Sequence, residues 1–203
     1  MRRSGALVVA IASLLFAAVP GRVTADSIDD AEVASLRCDF ETALRLYGKL
    51  AGDGHPFAQF RLGELYYLGR GTRRDYAAAM TWFLKAAGQG VAEAQFKLGI
   101  MHLLSQGVPQ DYTEAARWFR RAADRGNADA QSNLGLMYLM GEGVPYDYVL
   151  SHLWYSLAAS GYPDAQKREI AAMNRDRVEA VMTAEQVAEA ERLARDWRPA
   201  GER

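Results

Sequence analysis

The sequence predicts an all-α fold, an α/α solenoid of stacked antiparallel helix pairs with capping helices at both ends. Three observations carry that prediction. Asp39, Asp75, Asp111 and Asp147 recur at intervals of 36 residues, each followed by an aromatic residue: Phe40, Tyr76, Tyr112 and Tyr148. A second set recurs at the same period, Ala58-Gln59, Ala94-Gln95 and Ala130-Gln131, with Leu62-Gly63, Leu98-Gly99 and Leu134-Gly135 four residues on. Within each set the apolar positions fall on one helical stripe, at 58, 62, 63 and 66 and again at 79, 82, 83, 86 and 87. A helix pair of this size cannot bury both stripes alone, so successive units must stack.

The first 25 residues read as a signal peptide: Arg2-Arg3, an apolar run from Gly5 to Val19, and Val23-Thr24-Ala25 before an expected cut after Ala25. The apolar run is shorter than the roughly 20 residues of a membrane span. The expected product is periplasmic or secreted, with no integral membrane span after cleavage. It keeps 21 Lys and Arg against 25 Asp and Glu, a net charge of −4, which argues against nucleic acid as a partner. Cys38 is the one cysteine, so no internal disulfide forms and stability rests on packing. It is expected to be half-buried near a turn.

Residues 26–57 read as an N-terminal capping helix, 28–38, and a half repeat whose helix covers 40–53. Three full repeats follow at 58–93, 94–129 and 130–164. Gly63, Gly99 and Gly135 sit inside helices, where glycine costs roughly 1 kcal/mol relative to alanine. One register for all three implies a close helix approach, expected against the Trp or Tyr of a neighbour. Gly71, Gly107 and Gly143 are placed to end first helices, helped by Pro109 and Pro145. Asp75, Asp111 and Asp147 then stand at N-cap positions of second helices, and Glu114 adds a box-like pattern to Asp111. Residues 165–203 read as C-terminal capping helices and a loose tail from Arg198. Ala165-Gln166 opens a helix to Val181, Thr183 and Gln186 make a capping box, and Val187, Ala190, Ala194 and Trp197 form the last apolar stripe.

The pattern at 94–126, AQFKLG then GVPQDY, WF, AA and a closing Gly, resembles the Sel1-like repeat family, a relative of tetratricopeptide repeats. The resemblance covers about 39–166. It implies right-handed stacking into a curved solenoid whose first helices line the concave surface. By that analogy the groove positions are Phe57, Phe60, Glu64, Tyr67 and Leu68; Glu93, Phe96, Ile100, Leu103 and Leu104; and Asp129, Ser132, Leu136, Leu139 and Met140. Arg61, Lys97 and Asn133 would rim them. Among these, Phe57, Phe60, Glu64, Tyr67, Phe96, Ile100, Leu103, Leu136 and Leu139 are the candidate partner-binding residues. Phe60, Phe96, Tyr67 and Ile100 are expected to be the most exposed. The same apolar side chains also suit packing between repeats, and both readings stand at this point.

No catalytic, cofactor or metal site is legible. His55, His102 and His152 are scattered, and no HExxH, Cys pair, Gly-x-Ser-x-Gly, Ser-x-x-Lys or Walker loop occurs. His102 stands in the place of a repeat tyrosine and is expected to be a packed ring with a satisfied nitrogen. The Gly-x-Gly pairs recur with the repeat and read as turns. The expected function is therefore a non-enzymatic scaffold or adaptor of the bacterial cell envelope that binds a protein or peptide partner. The alternative is a secreted or periplasmic hydrolase acting on β-lactam or cell-wall material. Cysteine-rich relatives have been credited with β-lactam chemistry, but the cysteine pairs that staple them are missing here. A host-directed secreted factor is a third reading.

Overall fold

The computed structural model describes residues 27–200. The signal-peptide reading of residues 1–25 and its cut fall outside the described residues. Ten α-helices are present in chain order: α1 Ile28–Leu36, α2 Phe40–Gly52, α3 Pro56–Leu68, α4 Tyr76–Gly88, α5 Ala92–Leu103, α6 Tyr112–Ala123, α7 Ala128–Met140, α8 Tyr148–Gly161, α9 Ala165–Glu179 and α10 Ala184–Asp196. Among the described residues there is no strand. Each helix packs on its sequence neighbours from α1 to α9, which is the contact pattern of a stack of helix pairs. No described helix is long and apolar enough to cross a membrane.

Periodic side chains build each turn. The carboxylates of Asp39, Asp75, Asp111, Asp147 and Asp164 accept from the backbone N–H three residues on, satisfying a donor that the helix leaves open. The Asp111 cap stands without the reciprocal half of a box, because Glu114 turns its carboxylate to Arg117 instead. Thr183 and Gln186 do form both halves. The buried amides of Gln59, Gln95 and Gln131 donate to the carbonyls of Ala51, Ala87 and Ala123 at 3.1–3.2 Å, tying each first helix to the end of the preceding second helix.

The glycine register has a definite neighbour, and it is not the repeated tryptophan. A Cβ on Gly63, Gly99 or Gly135 would stand 2.7, 2.5 or 2.9 Å from the ring of Phe83, Phe119 or Tyr155. These are the aromatics that follow Trp82, Trp118 and Trp154. The tryptophans turn to neighbouring cations instead, with Lys85 over Trp82 and Arg121 over Trp118. Turns after the first helices carry left-handed residues at Gly69, Ser105 and Gly141, with φ of 68°, 56° and 69°. Gly71, Gly107 and Gly143 then supply a second one, pressed against the first residue of the preceding second helix: Phe40, Tyr76 or Tyr112.

Four further expectations need correction. Cys38 is exposed, held at φ 59° past the end of α1. The ring nitrogen Nδ1 of His102 is buried without a partner; what this position supplies is its backbone carbonyl, which accepts from Asp111 N–H as Tyr66 and Tyr138 do for Asp75 and Asp147. In α9, Ala165 and Gln166 are exposed, and Arg168 takes the glutamine role by donating to Tyr162 and Pro163 carbonyls. The cap at Asp164 starts this helix two residues late relative to α7, so Ala171 lies where Leu134 lies and Ala172 where Gly135 lies. Finally, the tail is tied down at Ala200, whose N–H donates to Asp124 carbonyl at 2.5 Å. α10 leaves the stacking pattern and packs on α8.

Candidate functional site

The described structure separates the candidate partner-binding residues into three groups. Phe57 and Leu136 are exposed. Glu64, Tyr67, Phe96, Ile100, Leu103 and Leu139 are half-buried. Phe60 is buried, contrary to its expected exposure, because its ring meets Phe83 at a centroid distance of 5.9 Å. Phe96 makes the matching contact with Phe119 at 5.7 Å, and Ile100 and Leu103 pack on the same core. Burial lifts the Tyr67 phenol above its ordinary range, and its hydroxyl donates to Gln106 at 2.5 Å. The best-placed apolar side chains are ones the repeat pattern put at helix ends: Leu68, Leu104 and Met140 are all exposed.

Exposed apolar side chains are unevenly distributed. Val33 and Leu36 of α1, Phe57 and Leu68 of α3, Leu136 and Met140 of α7, and Ile170 and Met173 of α9 all lie on first helices of their pairs, with Leu104 just past α5. Among the described residues, second helices contribute Leu84 and Tyr112, and Tyr146 and Val181 are exposed in turns. Single exposed apolar residues mean little; these share the first helices of their pairs.

Two cavities open on this side, one near each end of the stack. The first, about 220 Å³, lies over Tyr47 between α1 and α3, lined by Leu36, Phe40, Leu65 and Leu68 with Arg61, Glu64 and Arg70. The Tyr47 hydroxyl and Arg61 Nε are buried there without hydrogen-bond partners, while an Arg61 terminal nitrogen donates to Glu64 at 3.0 Å. The second, about 290 Å³, lies over Tyr155 between α7 and α9, lined by Ser132, Asn133, Leu136, Leu139, Asn174 and Arg177. Burial pushes the Tyr155 phenol up to about 12.

One titratable cluster lies elsewhere. His152 is buried on α8, its Nε2 is 3.3 Å from Glu179 of α9, and its Nδ1 is 3.4 Å from Ser156 Oγ. The order Ser, His, Glu resembles a nucleophile with its base and orienting acid. Both contacts are long. Ser156 sits in the middle of α8, where the helix ladder takes up the nearby backbone N–H groups, so the serine has no converging backbone donors to stabilise an oxyanion. The His152–Glu179 contact joins α9 to α8 through a buried ring. Among the described residues no group of His, Cys, Asp or Glu has metal-site geometry.

Comparison with known proteins places these helix pairs. The Sel1 repeat model matches residues 56–91, 92–127 and 128–161, more than half of the chain, in a frame that begins at the first turns of α3, α5 and α7. A comparison with curated proteins finds no match. Among solved structures, the chain is similar to a Sel1 repeat protein from Oxalobacter formigenes, with a TM-score of 0.66 and 25% identity over 84% of this chain and 75% of that one. It also matches c5321, a protective antigen of uropathogenic Escherichia coli strains displaying an SLR fold, at a TM-score of 0.49 and 30% identity over 76% of this chain and 40% of that chain. With the caps, the buried glutamines and the glycine–aromatic contact repeating in step with the matched units, the chain belongs to the Sel1 repeat family.

Proposed function

We propose that this protein is a non-enzymatic scaffold, exported to the bacterial cell envelope, that binds a partner protein or peptide along its first-helix face. Sel1 repeats are in general protein-interaction modules, which supports a protein partner. The observation that carries the face is the concentration of exposed apolar side chains on first helices against two on second helices. The basic start, apolar run and Ala25 boundary support export. The function depends on a contoured surface, and the one serine–histidine–glutamate cluster is built as a fastening.

The test is capture of cross-linked envelope partners by two surface variants of equal melting temperature. One carries Phe57→Ser, Leu68→Ser, Leu104→Ser and Leu136→Ser; the other carries Leu84→Ser and Tyr112→Ser. A partner lost in the first and kept in the second supports the reading. A partner kept in the first and lost in the second contradicts it. Fractionation of cells tests export: protein found with the cytoplasm, its first 25 residues retained, overturns that part.

A further inference from the structure

The cavity over Tyr155 exists because two positions depart from the repeat. At the register of Phe60 and Phe96 the third repeat has Ser132, and at the register of Phe83 and Phe119 it has Tyr155. In the first two repeats those positions hold paired phenylalanine rings 5.9 and 5.7 Å apart, which fill the space between first and second helix. Serine for phenylalanine removes a ring, and tyrosine for phenylalanine points a hydroxyl into the gap. The result is a space of about 290 Å³ with apolar walls from Leu136 and Leu139. Its polar wall is Asn133, Asn174, Arg177 and the Tyr155 hydroxyl.

The charge of this cavity is one-sided. No acidic side chain lines it. The other cations of α9 are engaged: Lys167 with Asp129, Arg168 with two carbonyls, and Arg175 with Asp176. Arg177 has no ion-pair partner among the described residues. Tyr155 is 2% exposed and its side chain makes no hydrogen bond, so its hydroxyl is a donor without an acceptor. The cavity over Tyr47 differs, because there Glu64 already answers Arg61. A hydroxyl donor and the exposed guanidinium of Arg177, beside two leucines, fit an anionic oxygen next to an apolar group. A volume at the lower end of ligand-pocket sizes, roughly 300–1,000 Å³, takes one residue of a chain and not a helix.

We infer that this cavity holds the C-terminal residue of a partner polypeptide, with the terminal carboxylate on Arg177 and Tyr155 and an apolar side chain on Leu136 and Leu139. This deepens the proposed function and rests on its first-helix face. An amidated end lacks the charge that Arg177 and Tyr155 answer, and an internal carboxylate on a polar chain lacks the apolar side chain that Leu136 and Leu139 take. An apolar last residue fills the leucine wall, and the chain leading to it lies along the exposed side chains of α7 and Leu104.

The experiment is fluorescence anisotropy with the purified protein and a fluorescein-labelled heptapeptide, Gly-Ser-Gly-Ser-Gly-Ala-Leu, as the free acid and as the C-terminal amide. A third probe carries Asp at position four and an amidated end. The protein variants are Arg177→Gln, Tyr155→Phe, and Ser132→Phe with Tyr155→Phe, which restores the paired rings of the earlier repeats. The free acid is expected to bind at least tenfold more tightly than either amidated probe. Arg177→Gln and Tyr155→Phe each weaken it by about fivefold or more, and the double variant abolishes binding at an unchanged or higher melting temperature. Equal affinity for acid and amide, no saturable binding of the acid at millimolar protein, or full binding by the double variant overturns the inference. If that happens while the first-helix serine variant still loses its captured partner, the face stands and the terminal-residue site falls. If the capture is independent of the face, the broader reading falls.

Discussion

The contact between Gly99 and Phe119 allows one substitution to be worked through in full. Alanine in place of a helix-interior glycine is favourable by about 1 kcal/mol on propensity alone. At Gly99 the new Cβ stands 2.5 Å from two ring carbons of Phe119. That ring is fully buried and braced by Phe96, so it has nowhere to turn. Overpacking of this kind costs about 1–3 kcal/mol, and a contact this short belongs at the upper end. Gly99→Ala is therefore expected to lose about 2 kcal/mol net, a fall in Tm of roughly 4–8 °C for a chain of this size. Gly48 is the internal control. It lies inside α2 with nothing within 4 Å of its would-be Cβ, so Gly48→Ala is expected to gain about 0.5–1 kcal/mol. Thermal unfolding followed by circular dichroism reads both. The reasoning is refuted if Gly99→Ala is as stable as the parent, or if both alanines move Tm in the same direction.

Other perturbations follow from the same contacts. Asp111→Ala removes the carboxylate that accepts from Glu114 N–H at 3.0 Å, and urea unfolding should register a loss of about 1 kcal/mol. Gln95→Ala removes one of the two donors on the Ala87 carbonyl, which keeps the Gly90 N–H, a loss of about 1 kcal/mol in the same assay. Alkaline titration should find the Tyr155 contribution intact below pH 10 and lost between 10 and about 12, because the unfolded chain releases that proton at the lower pH; Tyr155→Phe flattens this part of the curve. Purified protein is expected to turn over neither a β-lactam nor a cell-wall fragment, and Ser156→Ala should leave the background rate where it was.

The fold was legible because its determinants recur. A carboxylate that caps a helix at Asp75 does so again at Asp111 and Asp147, so spacing alone identified the caps, the turns and the helix pairs. The misreadings came where a role passed from the expected residue to another. The glycine register announced a close approach, but only packing reveals that Phe83, Phe119 and Tyr155 make it. In α9 the letters Ala-Gln matched the repeat while the cap had moved, so Arg168 carries the bond that glutamine makes elsewhere. Phe60 looked like groove because it stands on the first-helix face one turn before Glu64, yet the facing Phe83 ring encloses it. The cavity over Tyr155 was written in the sequence as well, as Ser132 and Tyr155 breaking a phenylalanine pair, but its meaning needed the knowledge that those two registers touch.

The decisive measurement is a photo-cross-linking scan in cells. A benzophenone amino acid replaces, one at a time, Leu68, Leu104, Leu136 and Met173 on the first-helix side and Leu84, Tyr112 and Arg117 on the second-helix side. The expected result is one shared adduct from the first-helix positions and none from the others. Adducts of that partner confined to Leu84, Tyr112 and Arg117 would contradict the assignment of function to the first-helix face.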